Sequence, residues 1–300
     1  LKDKFKENIQ DIVEDITKNY LTEELFLAKD SMRLPDRNVI IQLLKELRVI
    51  MFPGYFASER MDCTLAPYFI GQRLSNLFEM LSKQIQLALV YTNNSKTPEI
   101  VEEAKDITVE FLQQLPKIQK LLLTDIQAAY DGDPAAGSKE QIIFSYPGLY
   151  AVFVYRMAHE LYIRKVPFIP RIMTEYAHSR TGIDINAGAS IGKYFFIDHG
   201  TGVVIGETTI IGDNVKLFQG VTIGALSTRG GQALAGVKRH PTIEDNVTIY
   251  SGASILGGET VIGHDCVIGG SAFITESIPP HTKVSMKNPE LNLRGDDREA

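Results

Sequence analysis

The chain has 300 residues, 44% of them hydrophobic and 23% charged, enough for one large domain or two ordinary ones. Its net charge of -6, with 31 Lys and Arg against 37 Asp and Glu and no basic face, excludes a nucleic-acid binder that tracks phosphates. No apolar run approaches the roughly 20 residues of a membrane helix and no signal peptide opens the chain, so a cytoplasmic protein without a membrane partner is expected, its native start trimmed to Leu1.

The glycines are unevenly placed: of 24, 5 fall in residues 1–181 and 19 in 182–300. The glycine-poor half reads as helices, because glycine inside a helix costs roughly 1 kcal/mol relative to alanine. Helical patterns cover about 3–28, 36–52, 62–92, 97–115, 117–130, 148–165 and 169–180. Asp36 is the expected N-cap of the second, whose stripe of Val39, Ile40, Leu43, Leu44, Leu47, Ile50 and Met51 stops at Pro53-Gly54. Thr97 followed by Pro98 signals another start, before the stripe of Ile100, Ala104, Ile107, Phe111 and Leu115. These stripes are core surface. Cys63 and Cys266 are too few and too scattered for a disulfide framework or zinc knuckle and read as buried thiols.

From Ile185 the period changes to six. Ile185, Ile191 and Ile197 form one run; Ile205, Ile211, Leu217 and Ile223 a second; Ile243, Ile249 and Ile255 a third; Ile262, Ile268 and Ile274 a fourth. Four positions after most of these lies another apolar or small residue, with Glu259 an exception. Short β-branched strands alternating with glycine-containing corners at this period predict a parallel β-helix of hexapeptide type. Three hexads make one triangular coil, so thirteen repeats predict four to five stacked coils. The fold class is therefore α+β: a helical domain over 1–181, a β-helix over 182–286 and a tail over 287–300.

The repeat breaks in three places. The spacing is 8 between Ile197 and Ile205, beside Asp198-His199-Gly200-Thr201-Gly202; 20 between Ile223 and Ile243, around an external loop ending in Arg239-His240-Pro241; and 7 between Ile255 and Ile262. A solenoid leaves its period where something besides packing is served, which makes Asp198, His199, Arg239 and His240 site candidates. Imidazoles there would transfer protons near pH 7, with Asp184, 15 residues before His199, expected as a neighbour on the adjacent coil. His159, His178, His264 and His281 read as packing or surface residues. A three-histidine zinc centre is not expected, because His199, His240 and His264 include no closely spaced pair.

At these residues the sequence resembles the serine acetyltransferases, hexapeptide-repeat enzymes that move acetyl from acetyl-CoA to L-serine. The matching stretches are 125–135 (Asp-Ile-Gln-Ala-Ala-Tyr-Asp-Gly-Asp-Pro-Ala), Tyr146-Pro-Gly, Tyr155 to His159, 182–189, Ile197 to Gly202, 204–208, 219–224, Arg239-His240-Pro241 and Pro279 to Thr282. The resemblance implies a left-handed coil sense and a product, O-acetylserine, made in the first step of cysteine biosynthesis from serine. It implies His199 as general base, Asp184 as its orienting partner, Asp133 and Asp198 as receivers of the substrate ammonium, and Arg239 and His240 as holders of the carboxylate. It further implies that acetyl-CoA, a co-substrate, lies along the β-helix between subunits near Ala225, Ser251 and Gly270, its phosphates within reach of Lys283 and Lys287. A homotrimer or a dimer of trimers, feedback inhibition by L-cysteine, and the absence of a metal complete the expectation.

Three departures stand beside it. Asn186-Ala187 replaces the family's His-Pro, the loop from Ser227 to Lys238 is longer than usual, and the tail ends at Ala300 rather than the isoleucine that engages the sulfhydrylase of the next step, so no partnership with that enzyme is expected. Another CoA-dependent O- or N-acyltransferase on this fold, or a non-catalytic scaffold, are the alternative readings.

Overall fold

The computed structural model describes residues 2–23, 33–58 and 64–287. Cys63 and the tail beyond Lys287 lie outside these. The described helices are α1 Lys2–Thr22, α2 Arg37–Met51, α3 Pro53–Phe56, α4 Ala66–Asn93, α5 Pro98–Gly132, α6 Lys139–Ser145, α7 Pro147–Ile163 and α8 Ile169–Thr181. None is long and apolar enough to cross a membrane.

Local chemistry sets the helix ends. The Asp36 carboxylate accepts from the Asn38 and Val39 N–H groups at 2.7 and 3.4 Å, a cap of the kind that contributes about 1 kcal/mol. Thr97 precedes α5 but makes no side-chain cap; its hydroxyl serves the Glu99 carboxylate instead, holding it below the usual range. The two patterns expected over 97–130 are one helix, α5, running through Pro116. Proline removes one backbone hydrogen bond. The helix continues because Phe111, Leu115, Ile118 and Leu122 form one unbroken buried stripe across it. Helix α6 was missed by periodicity, being too short, yet a Ser138 cap marks it: Gln141 N donates to Ser138 Oγ at 3.2 Å, and the Gln141 side chain reaches back one residue further to accept from Gly137 N at 2.9 Å.

After Gly182, which closes α8 in the left-handed region at φ 71°, the backbone becomes a parallel solenoid of about five turns with three faces. Face A stacks β1 Asp184–Ile185, β4 Val204–Ile205, β7 Thr222–Gly224, β10 Ser254–Leu256 and β13 Phe273–Ile274. Face B stacks β2 Ser190–Ile191, β5 Ile210–Ile211, β8 Thr242–Ile243 and β11 Val261–Ile262. Face C stacks β3 Phe196–Asp198, β6 Lys216–Phe218, β9 Thr248–Ile249, β12 Val267–Ile268 and β14 Lys283–Val284. The hexad aliphatic residues lie inside, all buried except Ile191, which is partly so. At the seven-residue break Thr260, not Glu259, points inward, its hydroxyl satisfied by Leu256 O at 2.7 Å.

Helix α7 closes the first coil. Ala151, Val152 and Tyr155 enter the solenoid core, while Phe153, Val154, Met157 and Leu161 enter the helical core, which is why this helix is apolar nearly all round. Arg156 fixes the junction. It grips buried Asp125 with Nε and Nη2 at 2.7 and 2.8 Å and donates to the carbonyls of Ile191 and Gly192, while the Phe195 N–H also bonds Asp125. Burial pushes the Asp125 carboxyl upward and the guanidinium opposes it. Breaking one side of such a pair strands a buried charge. Arg156→Leu is expected to cost about 3–5 kcal/mol in urea unfolding, and Asp125→Leu/Arg156→Leu less than Arg156→Leu alone.

Candidate active site

The first break of period forms the corner between faces C and A. Strand β1 pairs with β4 at a step of twenty residues (Asp184 to Val204) but β4 with β7 at eighteen (Val204 to Thr222), so two extra residues bulge at the first corner while the register above is kept. His199 sits on the bulge at φ 56°, followed by Gly200 and Gly202 at φ 88° and 81°. A non-glycine residue held there is strained, and such positions recur at functional sites. The strain carries the imidazole outward, where 76% of its side chain is exposed, with Nε2 3.9 Å from Asp198 Oδ1.

The helices complete this corner. Asp133, the cap residue ending α5, accepts from Tyr146 Oη at 2.6 Å and from Ala135 N at 2.8 Å. Those bonds, with Lys216 and His199 nearby, hold its carboxyl below the usual range, and the same contact pushes the Tyr146 phenol up to about 12. Two carboxylates, Asp133 and Asp198, thus flank one imidazole. Lys216 was not foreseen. Its ammonium lies 3.6 Å from Asp198 Oδ2, donates to Gly132 O at 2.5 Å and rests over the Phe196 and Phe218 rings. The available signal was a lysine in a strand position of the repeat, two residues before an aromatic.

The second break forms the corner between faces A and B. Strand β7 pairs with β10 at a step of thirty-two residues (Thr222 to Ser254), so the segment between β7 and β8 is extruded and returns at Arg239-His240. The His240 ring lies over Gly206, where a Cβ would come within 2.0 Å of it; only glycine leaves it room. Nδ1 accepts from Thr208 N at 3.1 Å and faces Thr208 Oγ1 at 2.8 Å, while Oγ1 accepts from the Arg239 and His240 N–H groups. An accepting Nδ1 places the proton on Nε2. Burial, with Arg239 adding to it, lowers the His240 pKa to about 4. The ring is therefore a neutral N–H donor at pH 7 and not the proton carrier that its place in the sequence suggested. Beside it Arg239 pairs with Glu207, which also accepts from Tyr162 Oη at 2.8 Å.

The predicted residues do not all converge within one chain. His199 precedes β4 and the Arg239-His240 pair stacks on the turn after it, so the two corners stand at opposite edges of face A, on the order of 15 Å apart at a strand's rise per residue. Asp184 lies on β1, one coil below Val204, and no hydrogen bond or ion pair of the described residues joins it to His199. Ser251 and Gly270 stack together on His199's own edge, above Gly202 and Gly220, with Ser271 N donating to Ser251 O at 2.8 Å. Ala225 follows β7 on the other edge, Lys283 lies on face C, and Lys287 ends the described chain.

No family model matches the chain. It is 44% identical over 221 residues to the plasmid serine acetyltransferase of Synechococcus elongatus, a match covering 71% of this chain and 69% of that protein. It is similar throughout to the crystal structure of Entamoeba histolytica serine acetyltransferase 1 in complex with L-cysteine, at TM-score 0.72 and 36% identity over 94% of this chain and 100% of that one. The chain belongs to the serine acetyltransferase family. It is an acyltransferase with that family's activity. The Neisseria gonorrhoeae serine acetyltransferase in complex with serine aligns at TM-score 0.55 and 27% identity over 82% of this chain and 95% of that one. The match to the Bacillus licheniformis serine acetyltransferase, 52% identical, spans 42% of this chain and 56% of that protein.

The depressed His240 pKa links acidity to unfolding. Between the ordinary value of 6.5 and about 4 the unfolded chain binds a proton that the folded chain refuses, so the stability present above 6.5 is lost as pH falls through that window. His240→Asn, which keeps an acceptor for Thr208, is expected to flatten the pH dependence of urea unfolding between those limits.

Proposed function

We propose that acetyl passes from acetyl-CoA to the hydroxyl of L-serine at a site closed by two copies of the chain. The observation that carries this reading is the separation of the corners. Neither edge of face A holds a complete set of groups for a small zwitterion: Asp133, Asp198 and His199 stand at one edge, Arg239 and His240 at the other. In a cyclic oligomer with face A toward the axis, the first edge of one copy meets the second edge of the next. The outward side chains of Val204 and Phe273 on that face, 38% and 71% exposed, suit such burial. A homotrimer is one such ring of triangular prisms, and a dimer of trimers keeps the same sites.

In this arrangement Asp133 and Asp198 receive the ammonium of serine, and Arg239 with the Nε2–H of His240 from the neighbouring copy receives its carboxylate. The hydroxyl is then aimed at His199. His199 takes the hydroxyl proton as Oγ attacks the thioester carbon; the tetrahedral oxyanion collapses, the C–S bond breaks, and the CoA thiolate recovers that proton from the imidazolium. No covalent acyl-enzyme is formed. The exposed His199 ring is free to turn toward Asp184, whose carboxylate on the coil below would orient and stabilise the imidazolium. The pantetheine arm follows the ridge of Gly202, Gly220, Ser251 and Gly270 above His199, with Ala225 of the neighbouring copy facing it and Lys283 and Lys287 toward the phosphates.

Thiol release from acetyl-CoA on adding L-serine tests the reading. His199→Ala should lower turnover by about 10²–10⁴-fold, as expected for loss of a general base, and Arg239→Ala should chiefly raise the serine KM. At serine too dilute to load the Arg239→Ala site, co-assembling the two variants from mixed, unfolded chains should restore on the order of a quarter of wild-type activity, the share of sites that random assortment in a ring leaves intact. No recovery in verified mixed oligomers would reject the shared site.

L-cysteine differs from serine only in bearing sulfur at the reacting atom, so the same ammonium and carboxylate contacts accept it. Inhibition competitive with serine is expected, weakened in Arg239→Ala in step with the serine KM. Inhibition independent of serine concentration would remove cysteine from this pocket.

A further inference from the structure

The corner between faces B and C lies opposite face A and takes no part in the proposed reaction. Four successive coils place a left-handed residue there: Asn214, Asn246, Asp265 and His281, at φ 57°, 59°, 57° and 59°. The side chains form a ladder up the corner. Asn214 Nδ2 donates to Asn246 Oδ1 at 2.9 Å, and Asn246 Nδ2 donates to Asp265 Oδ1 at 3.1 Å. At Asp265 the ladder changes character. The other carboxylate oxygen, Oδ2, lies 2.8 Å from His264 Nδ1 and 3.5 Å from His281 Nδ1, and the two imidazoles stand edge to face at 4.8 Å between centroids.

We propose that His264, Asp265 and His281 form a binding site for a divalent transition metal of the zinc class, which ties the last turn of the solenoid to the coil below. The potential ligand atoms, one from each residue, all lie within 4.8 Å of one another. Ligands around a tetrahedral zinc, at about 2.0–2.1 Å from it, stand roughly 3.4 Å apart, so the observed spacing needs only small adjustment. The chemistry of the donors fits as well. Two imidazoles and one carboxylate suit zinc, nickel or cobalt and not calcium or magnesium, which take oxygen. An incoming metal replaces the proton shared between His264 Nδ1 and Asp265 Oδ2.

The supporting contacts leave the ligand atoms poised. Asn246 occupies Oδ1 and so turns Oδ2 to the histidines; His264 N is anchored on Glu244 Oε2 at 2.8 Å, and His281 N on His264 O at 2.9 Å. Three protein ligands leave a fourth position for water. The site is solvent-facing and remains so in a ring that turns face A inward. His264 and His281 are 17 residues apart in sequence, and only the short last step of the coil, Val267 pairing with Lys283, stacks them.

The test is titration of chelator-stripped full chain with zinc chloride by calorimetry, repeated with cobalt(II) to read d–d absorption. Wild type is expected to bind one equivalent per chain, with a tetrahedral cobalt spectrum and a raised Tm. His264→Gln and His281→Asn, the latter chosen because asparagine tolerates the left-handed corner, should each weaken binding at least tenfold and abolish the Tm rise. Both should keep serine-dependent acetyl transfer in chelator, which shows that they are folded. His199→Ala should bind zinc as wild type does. No zinc binding by wild type, or equal binding in both histidine variants, overturns the proposal.

Discussion

The structure depends on stacking one aliphatic side chain upon another up the inside of the solenoid. On face A, Ile185, Ile205, Ile223, Ile255 and Ile274 lie in register through parallel pairing, and each is buried. A slip of one residue in any strand would turn that column outward, because side chains alternate along a strand. Extra residues are therefore tolerated only at corners, where they leave the coil without altering register. The bulge at His199 and the loop returning at Arg239-His240 obey this constraint, and so the groups available for chemistry stand on edges of the prism.

The helical half is part of the same construction. Without α7 the first coil would expose its interior, and the Asp125–Arg156 pair clamps this cap to the backbone of Ile191 and Gly192. One consequence reaches the site directly. The end of α5 places Asp133 beside His199, Gly132 O accepts the Lys216 ammonium, and Tyr146 at the start of α7 fixes the Asp133 carboxylate. The acidic side of the proposed serine pocket is thus assembled from both halves of the chain.

Burial separates the two histidines into different roles. His199 stands on an exposed bulge in the left-handed region, its ring open to solvent. His240 is pressed over Gly206 beside Arg239 and stays neutral, presenting one N–H. The side chains are the same; desolvation and neighbouring charge distinguish them. Lys216 shows the same dependence on surroundings, since it meets Asp198 only because β6 stacks on β3.

By itself the sequence determined the change from helices to a coil at Gly182, the hexad period, the Asp36 cap, and the two breaks that carry the proposed site residues, because each follows from spacing between near neighbours. The Ser138 cap and the Gln141 contact to Gly137 were equally local, though no apolar period announced them. Only the tertiary structure decided which breaks share an edge. Coil steps of twenty, eighteen and thirty-two residues on face A separated His199 from His240, while the short step of sixteen from Val267 to Lys283 on face C brought His264 to His281. Continuity of α5 through Pro116 and the neutrality of His240 were decided there too. Both depend on what packs against them from distant parts of the chain, where burial outweighs local preference.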